Sequence, residues 1–407
     1  MPMGLDPSES FRQLRPICIK LSKEPSPQNI KDLECKLRTV DATHLSQLAE
    51  YVLFPLKLAL QSPNATNELQ ETAVGCMETL FTRACVSQLG TFEEIFSYLC
   101  MLLNSKDSGL GQVADIPEEL KLAIVNCLSC LIQHTSLVVK GAFFSPRYLP
   151  VLGHSVSILL ALAEKEKAKN LKLSALGCLV NLAFCSETKS GEHLEQDEDR
   201  EALENAIKDS LSLTFASFIP GISIALCRVI TGDTKQGHAV VMQAVELWGD
   251  ILCLVMNDKY MPVKPAENED VISQLFSFTT EVTSFGELAN EKANISDSNP
   301  EKQDKIQSLK VNRTANWFRD TASKLKIVIE RMKIISVHPN WKVRLSLIKF
   351  CDKLFTNCLG SLQTCVSTMV DLLVGLIEDN YLQVASVSKT TLQKLSKRIG
   401  NGKKNVS

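Results

Sequence analysis

Cys127-x-x-Cys130 is the pair in this chain best spaced for metal or redox chemistry. Zinc needs four ligands, and no second pair stands at a plausible spacing. A thioredoxin-like dithiol needs a βαβ setting. Helical spacing puts the two thiols one turn apart on an apolar stripe, so packing is the expected role. Cys351, Cys358 and Cys365 recur every seven residues, but Gly360 interrupts any single helix carrying all three. Packing is again the reading. Gly109-Leu110-Gly111-Gln112-Val113-Ala114 has the glycine spacing of a dinucleotide loop. It follows a loop, Asn104 to Ser108, rather than a strand, so a flexible turn is expected. The six His stand in no recognised catalytic arrangement with Cys, Ser or Asp, and His338, before Pro339, is expected to close a helix end. Lys342, Arg344 and Lys349 are the candidate protein-contact residues, with ordinary inter-repeat contacts as the plainer reading. The sequence therefore presents no catalytic residue, no cofactor site and no metal site.

The elements that carry these residues repeat. Gly75-Cys76-Met77-Glu78-Thr79-Leu80, Asn126-Cys127-Leu128-Ser129-Cys130-Leu131 and Gly177-Cys178-Leu179-Val180-Asn181-Leu182 start 51 residues apart, twice in succession. Each lies in an apolar stretch with helical spacing. A helical unit of this size cannot bury its apolar face alone and must stack on copies of itself. The class expected is all-α, a HEAT-like α-solenoid of stacked antiparallel helix pairs.

Composition agrees. At 407 residues the chain exceeds one compact core, 45% of it is hydrophobic, and only 18 Gly are present. Alternating apolar and polar runs are scarce, which disfavours sheets. Residues 302–407 hold 19 Lys and Arg against 7 Asp and Glu, a surplus of +12 within a net charge of −2, which leaves −14 on the remainder. The lysines are spread over several helices without interleaved aromatics, so protein contact or solvated faces are expected rather than nucleic acid. Met1 to Asp6 lacks a basic leader and an apolar core. The apolar run from Val151 to Ala163 is broken by polar residues and too short to span a bilayer. The 14 Cys are then expected to be reduced thiols in a cytoplasmic or nuclear protein.

Helices are predicted near 9–22, 28–40, 42–60, 67–86, 92–104, 118–135, 146–164, 168–185, 212–230, 236–256, 316–336, 340–357, 361–378 and 381–399. Leu53-Phe54-Pro55, Tyr148-Leu149-Pro150 and Phe218-Ile219-Pro220 place a proline inside first helices, where each would bend the axis. The domain reading is HEAT-like repeats over 1–260 with an acidic loop near 186–205, a polar insertion over 261–312 with a short helix near 271–278, further repeats over 313–399, and a polar tail at 400–407.

Ser336-Val337-His338-Pro339-Asn340-Trp341-Lys342-Val343-Arg344-Leu345 has the form of a HEAT repeat: an apolar helix, a short turn, then Val-Arg opening a second helix. Val343 is expected to face the stack, and Arg344 to lie between units within reach of a neighbouring acid or carbonyl. Advancing 41 residues gives Leu382-Gln383-Val384-Ala385, with Ala385 replacing the Arg, and carries Leu354 onto Leu395. Further blocks stand in the same order. They are Phe11 to Cys18, Tyr51 to Leu56, Glu118 to Ala123, Phe215 to Ser223 and Ile230 to His238. Together they make the chain resemble the N-terminal portion of the large HEAT-repeat subunits of the Triple T (TTT) co-chaperone complex, over nearly all of 9–399. Members of that family are much longer, so an N-terminal portion or short form is expected.

The resemblance implies a non-enzymatic scaffold with no catalytic residues to transfer. It implies the other two Triple T subunits and the Hsp90 and R2TP machinery as partners. The implied clients are phosphatidylinositol-3-kinase-related kinases such as mTOR, ATM and ATR, with no direct nucleic acid and no membrane. A karyopherin-like transport or trafficking adaptor is the alternative, and an enzyme hidden in the polar insertions lacks a rigid frame for its groups.

Overall fold

The computed structural model describes residues 7–63, 65–105, 111–184, 197–232, 234–262 and 311–404. Among them the regular structure is helical, and pairing of extended backbone is limited to two isolated bridges, Val86 with Thr135 and Asn104 with Val113. The chain divides into two compact units, 1–211 and 212–407. The chain is an all-α solenoid of helix pairs, as its periodicity predicts.

Unit 1 contains α1 (Pro7–Lys23), α2 (Pro27–Leu37), α3 (Ala42–Gln61), α4 (Asn67–Arg83), α5 (Leu89–Leu103), α6 (Glu118–Gln133), α7 (Leu137–Phe143), α8 (Leu149–Lys165) and α9 (Lys169–Ala183). It ends within α10 (Asp197–Ile230). Capping residues set the starts. Ser26 accepts from Asn29 N–H with Pro27 behind it, and Asp41, Thr66 and Ser136 cap α3, α4 and α7 in the same way. The second helices α2, α4, α6 and α9 form one layer of successive neighbours, while α1 with α3 and α5 with α8 form the other. Leu33, Val74, Ile124 and Leu176 are fully buried in the seams, the usual fate of apolar positions at helical spacing.

Unit 2 contains the rest of α10, then α11 (His238–Val255), α12 (Ala315–Arg331), α13 (Lys333–Ser336), α14 (Trp341–Asn357), α15 (Val366–Val374) and α16 (Leu382–Lys404). Its layer of second helices runs α11, α14, α16. Trp248 of α11 is fully buried beside Phe350 of α14, with ring centroids 5.2 Å apart. Gly249 permits that approach, since a Cβ there would lie 3.0 Å from the Phe350 ring. Val343 and Val384, 41 residues apart in sequence, are both fully buried, and Leu354 and Leu395 are buried at the same interval.

Several boundaries differ from the sequence reading. Helix α7 was not anticipated, because seven residues give too little periodicity to detect. Acidic residues 197–205 are the start of α10 rather than loop, since Glu201 and Glu204 sit on exposed or half-exposed positions of an already formed helix. The segment expected as one helix over 316–336 divides at Met332 into α12 and α13. Residues 361–378 begin with a 3-10 turn, Gln363–Cys365, and α16 continues through the expected tail to Lys404. Pro55 and Pro220 lie inside α3 and α10, but Pro150 stands in the first turn of α8, where its missing N–H costs nothing. The short helix expected near 271–278 and most of the 186–205 loop lie outside the described residues.

Helices α10 and α11 are long and apolar enough to cross a membrane by length and composition alone, a feature the sequence reading passed over. In this fold 61% of each apolar window is buried by packing, as in the core helix of a stack.

Candidate protein-contact surface

The turn that opens α14 is built by short-range polar contacts. Asn340 caps the helix by accepting from Lys342 N–H at 2.9 Å, and its own N–H donates to His338 Nδ1 at 3.0 Å. One helix pair later, Asp379 accepts from Tyr381 N–H at 2.8 Å. Arg344 ties the two turns together. Its Nε and Nη2 donate to the Asp379 carboxylate at 2.6 and 2.8 Å, and its Nη1 donates to the His338 carbonyl at 2.6 Å. The two side chains are only 12% and 6% exposed. The planar fork meets the carboxylate in parallel bonds, a geometry that Lys could not reproduce. The Arg344 hydrogen bonds hold the Asp379 carboxyl below the usual carboxylate range and the guanidinium above its own ordinary value. Burial pushes His338 below the usual histidine value, which suits a neutral ring accepting a backbone N–H.

Around this tie lies an open cleft of about 260 Å³, lined by residues from 336–339, Arg344 and 378–380. Its chemistry is already saturated: Arg344 is committed to Asp379, and His338 Nδ1 to Asn340. Beside it Trp341 stacks on Tyr381 with centroids 5.1 Å apart and planes 13° from parallel. Val337 and Leu382 are 79% and 83% exposed. Lys342 and Lys349 are both exposed, and their seven-residue spacing on α14 places them on one face. The structure thus brings Lys342 and Lys349 together and sets Arg344 apart, turned inward to the acid and carbonyl the sequence anticipated for it. Trp341, Tyr381 and Leu382 escaped the sequence reading, although the 41-residue register carries Trp341 onto Leu382 and was the signal that marked them.

The 51-residue pattern of unit 1 becomes a line of contacts. Cys76, Cys127 and Cys178 lie on α4, α6 and α9 and are all buried to within 1%. Burial raises each thiol, Cys178 to about 12 and Cys127 well above its ordinary value, so these are packing groups at neutral pH. Cys130 turns instead to Glu78, with Sγ 3.9 Å from Oε1, and burial pushes this thiol to about 11. Burial, with Glu34 nearby, also raises the Glu78 carboxyl. Asn181 continues the line by donating to Ser129 Oγ at 2.6 Å. Among the described residues no three His, Cys, Asp or Glu gather as a metal site. Cys351 lies in α14, Cys358 ends it and Cys365 follows in the 3-10 turn, all fully buried.

The dinucleotide-like stretch is described only from Gly111. There the backbone is held rather than loose: Ser105 N–H donates to Gln112 O and Ala114 N–H to Leu103 O, both at 2.8 Å. Gly111 has φ +76°, and a Cβ would meet Ser157 Oγ at 2.6 Å, so close packing on α8 as well as conformation requires glycine.

Residues 11–380 match the family model described as the TTI1 N-terminal TPR domain. The chain is similar to TELO2-interacting protein 1 homolog of Mus musculus, at 33% identity over 392 residues, covering 96% of this chain and 32% of that protein. The Homo sapiens homolog is 33% identical over 389 residues, covering 95% and 32%. TEL2-interacting protein 1 of Saccharomyces cerevisiae is 25% identical over 415 residues, covering 91% and 35%. The chain thus spans about a third of the length of these curated relatives.

Proposed function

The chain belongs to the family of the TTI1 N-terminal TPR domain, and from that premise we propose that it is a non-enzymatic scaffold of a Triple T co-chaperone complex. The observation that carries this reading is the family match over 11–380, which spans the helix pairs of both units rather than one short motif. The curated relatives are named as interacting proteins of TELO2 or TEL2. A counterpart of that protein is accordingly the first partner proposed here. The other Triple T subunit, Hsp90 with R2TP, and the phosphatidylinositol-3-kinase-related kinases mTOR, ATM and ATR complete the set, in the cytoplasm and the nucleus, without nucleic acid or membrane.

Physical features support the assignment. A stack of helix pairs spends its polar groups on joining neighbours, as Arg344, Asn181 and Cys130 do, and offers extended faces rather than an enclosed pocket. Lys342 and Lys349 are the proposed contact residues, and Val337 and Leu382 supply apolar area beside them. The test is affinity purification of this chain in parallel with a relative's full-length protein. Recovery of the TELO2 counterpart, reduced by joint Lys342→Glu and Lys349→Glu substitution, is the expected result. If the long protein captures these partners and this chain captures none, the role belongs to the remaining two thirds. Binding of a small GTPase instead would point to a transport adaptor.

A further inference from the structure

Helices α14 and α16 are neighbours in the layer of second helices, and their charge is one-sided. Helix α14 holds four Lys and Arg against one acid, Asp352, and α16 holds six against none. Lys394 of α16 reaches Asp352 at 3.6 Å, and Arg398 donates to the Phe355 and Thr356 carbonyls of α14. These contacts join residues 42 or 43 apart, so the two helices run parallel, close to the 41-residue register. Seven-residue steps put Lys342, Lys349 and Thr356 on one exposed face of α14. The register carries that face onto Gln383, Thr390 and Lys397 of α16, which are also exposed.

The open charge on this face belongs to lysine. Arg344 is spent on Asp379, Arg398 on carbonyls and Lys353 on Asp250. Among the described residues no acid stands within ion-pair distance of Lys342, Lys349 or Lys397. Both helices begin at the same edge, where Trp341 stacks on Tyr381 and Leu382 is 83% exposed. From Leu382 to Lys397 the helix rises about 22 Å, the reach of about seven extended residues. A lane of lysines with an apolar edge fits a polypeptide carrying carboxylates along its length and a large apolar side chain at one end. Phosphate chains suit the face less. Its open cations lack the planar fork that clasps phosphate, and its two rings stack on each other instead of interleaving with the lysines.

We propose that the exposed face of α14 and α16 docks an acidic protein segment. Its carboxylates meet Lys342, Lys349 and Lys397, and its apolar side chain seats against Tyr381 and Leu382. This surface extends the reading of Lys342 and Lys349 as contact residues, on which it rests, by the partner's chemistry, a third lysine and an apolar anchor. Flexible ammonium groups meet carboxylates at many angles, so the lysines supply attraction and the anchor fixes the register.

Fluorescence anisotropy with the purified full chain tests this, using a fluorescein-labelled peptide of Leu-Phe followed by alternating Glu and Ser. Saturable binding is expected. Joint Lys342→Glu and Lys349→Glu substitution should weaken it at least about tenfold, and Lys397→Glu about threefold to fivefold. Leu382→Ser should cost about threefold to fivefold, as should Ser-Ser in place of Leu-Phe in the peptide, and the two together little more than either alone. Raising salt to about 0.5 M should shrink the lysine effects and leave the Leu382 effect in place. Circular dichroism checks that these surface variants fold. Should one not, a peptide with Lys in place of Glu decides, since the unsubstituted chain must fail to bind it. Unchanged affinity in the lysine variants would overturn the proposal. So would an oligothymidylate of equal charge that binds as tightly and is lost through the same substitutions, which would make the face a nucleic-acid surface. Self-association of the chain abolished by those substitutions would make the occupant a second copy, and overturns the proposal equally. No Triple T component enters the measurement. A chain that captures the TELO2 counterpart but not the peptide keeps the co-chaperone reading and loses this one, and the reverse result separates them the other way.

Discussion

The two units solve the same problem, joining second helices side by side, with different chemistry. In unit 1 the α4, α6 and α9 seam is mostly neutral: buried cysteines, a thiol on Glu78 and an amide on Ser129, with one enclosed ion pair, Lys121 of α6 on Glu166. In unit 2 the α11, α14 and α16 seam is charged, with Lys353 on Asp250, Lys394 on Asp352 and Arg344 on Asp379. Composition explains the contrast. The region from 302 onward holds 19 basic and 7 acidic residues, and two of its acids, Asp352 and Asp379, are drawn into these ties, while Asp250 of α11 supplies the third. Scarce acids become structural, and the surplus lysines stay in water. One device is common to both units. Arg83 of α4 donates to the Leu37 and Val40 carbonyls at the end of α2, and Arg398 of α16 donates to the Phe355 and Thr356 carbonyls at the end of α14. A cation on unpaired terminal carbonyls completes a helix and joins its neighbour at once.

A buried charge is the hardest test of the division into units. Val343→Asp in unit 2 and Cys127→Asp in unit 1 each place a carboxylate at a fully buried position without a partner. Each should remove several kcal/mol, about 3–5, from the unit that carries it. Chemical denaturation followed by hydrogen exchange should show the loss confined to that unit. Equal loss in both units from either substitution would erase the comparison.

Arg344→Ala comes next. It leaves the half-buried Asp379 with only a backbone N–H, and should cost unit 2 about 2–3 kcal/mol in urea titration, with little recovery in Arg344→Lys. The same tie has a pH signature. Because the Asp379 carboxyl titrates below its ordinary value in the folded chain, its contribution is complete above about pH 4 and is lost as pH falls toward the lowered folded value. Asp379→Asn should flatten the acid limb of the unit 2 stability curve and leave that of unit 1 unchanged. The terminal-carbonyl arginines are smaller: Arg83→Ala and Arg398→Ala should each cost about 1–2 kcal/mol, one per unit. Matching values would establish that this device works alike in the mostly neutral seam and the charged one.

What the sequence revealed follows the same physics. The helical class and the stacking of units were legible because burial is periodic, and a line such as Cys76, Cys127, Cys178 repeats wherever the stack repeats. The inward turn of Arg344 was legible because Val-Arg at a helix start fixes where each side chain points. The short α7, the break at Met332 and the helical continuation to Lys404 were not, since helix ends depend on tertiary contacts rather than pattern.

The smallest expected effect sharpens the comparison most finely. Lys394 reaches Asp352 at 3.6 Å with 63% of its side chain exposed, whereas Arg344 is nearly enclosed. Water screens the first pair, and holding a long lysine in one rotamer offsets much of the attraction. Lys394→Ala should therefore change unit 2 stability by about 0.5 kcal/mol or less, an effect that vanishes in 1 M salt. The Arg344 tie should survive the same salt, because its partners are shielded by protein rather than by ions. A salt-resistant loss at Lys394 would mean that the exposed lysines of this basic region are structural. The reason for reading Lys342 and Lys349 as a surface left open for a partner would then fall with it.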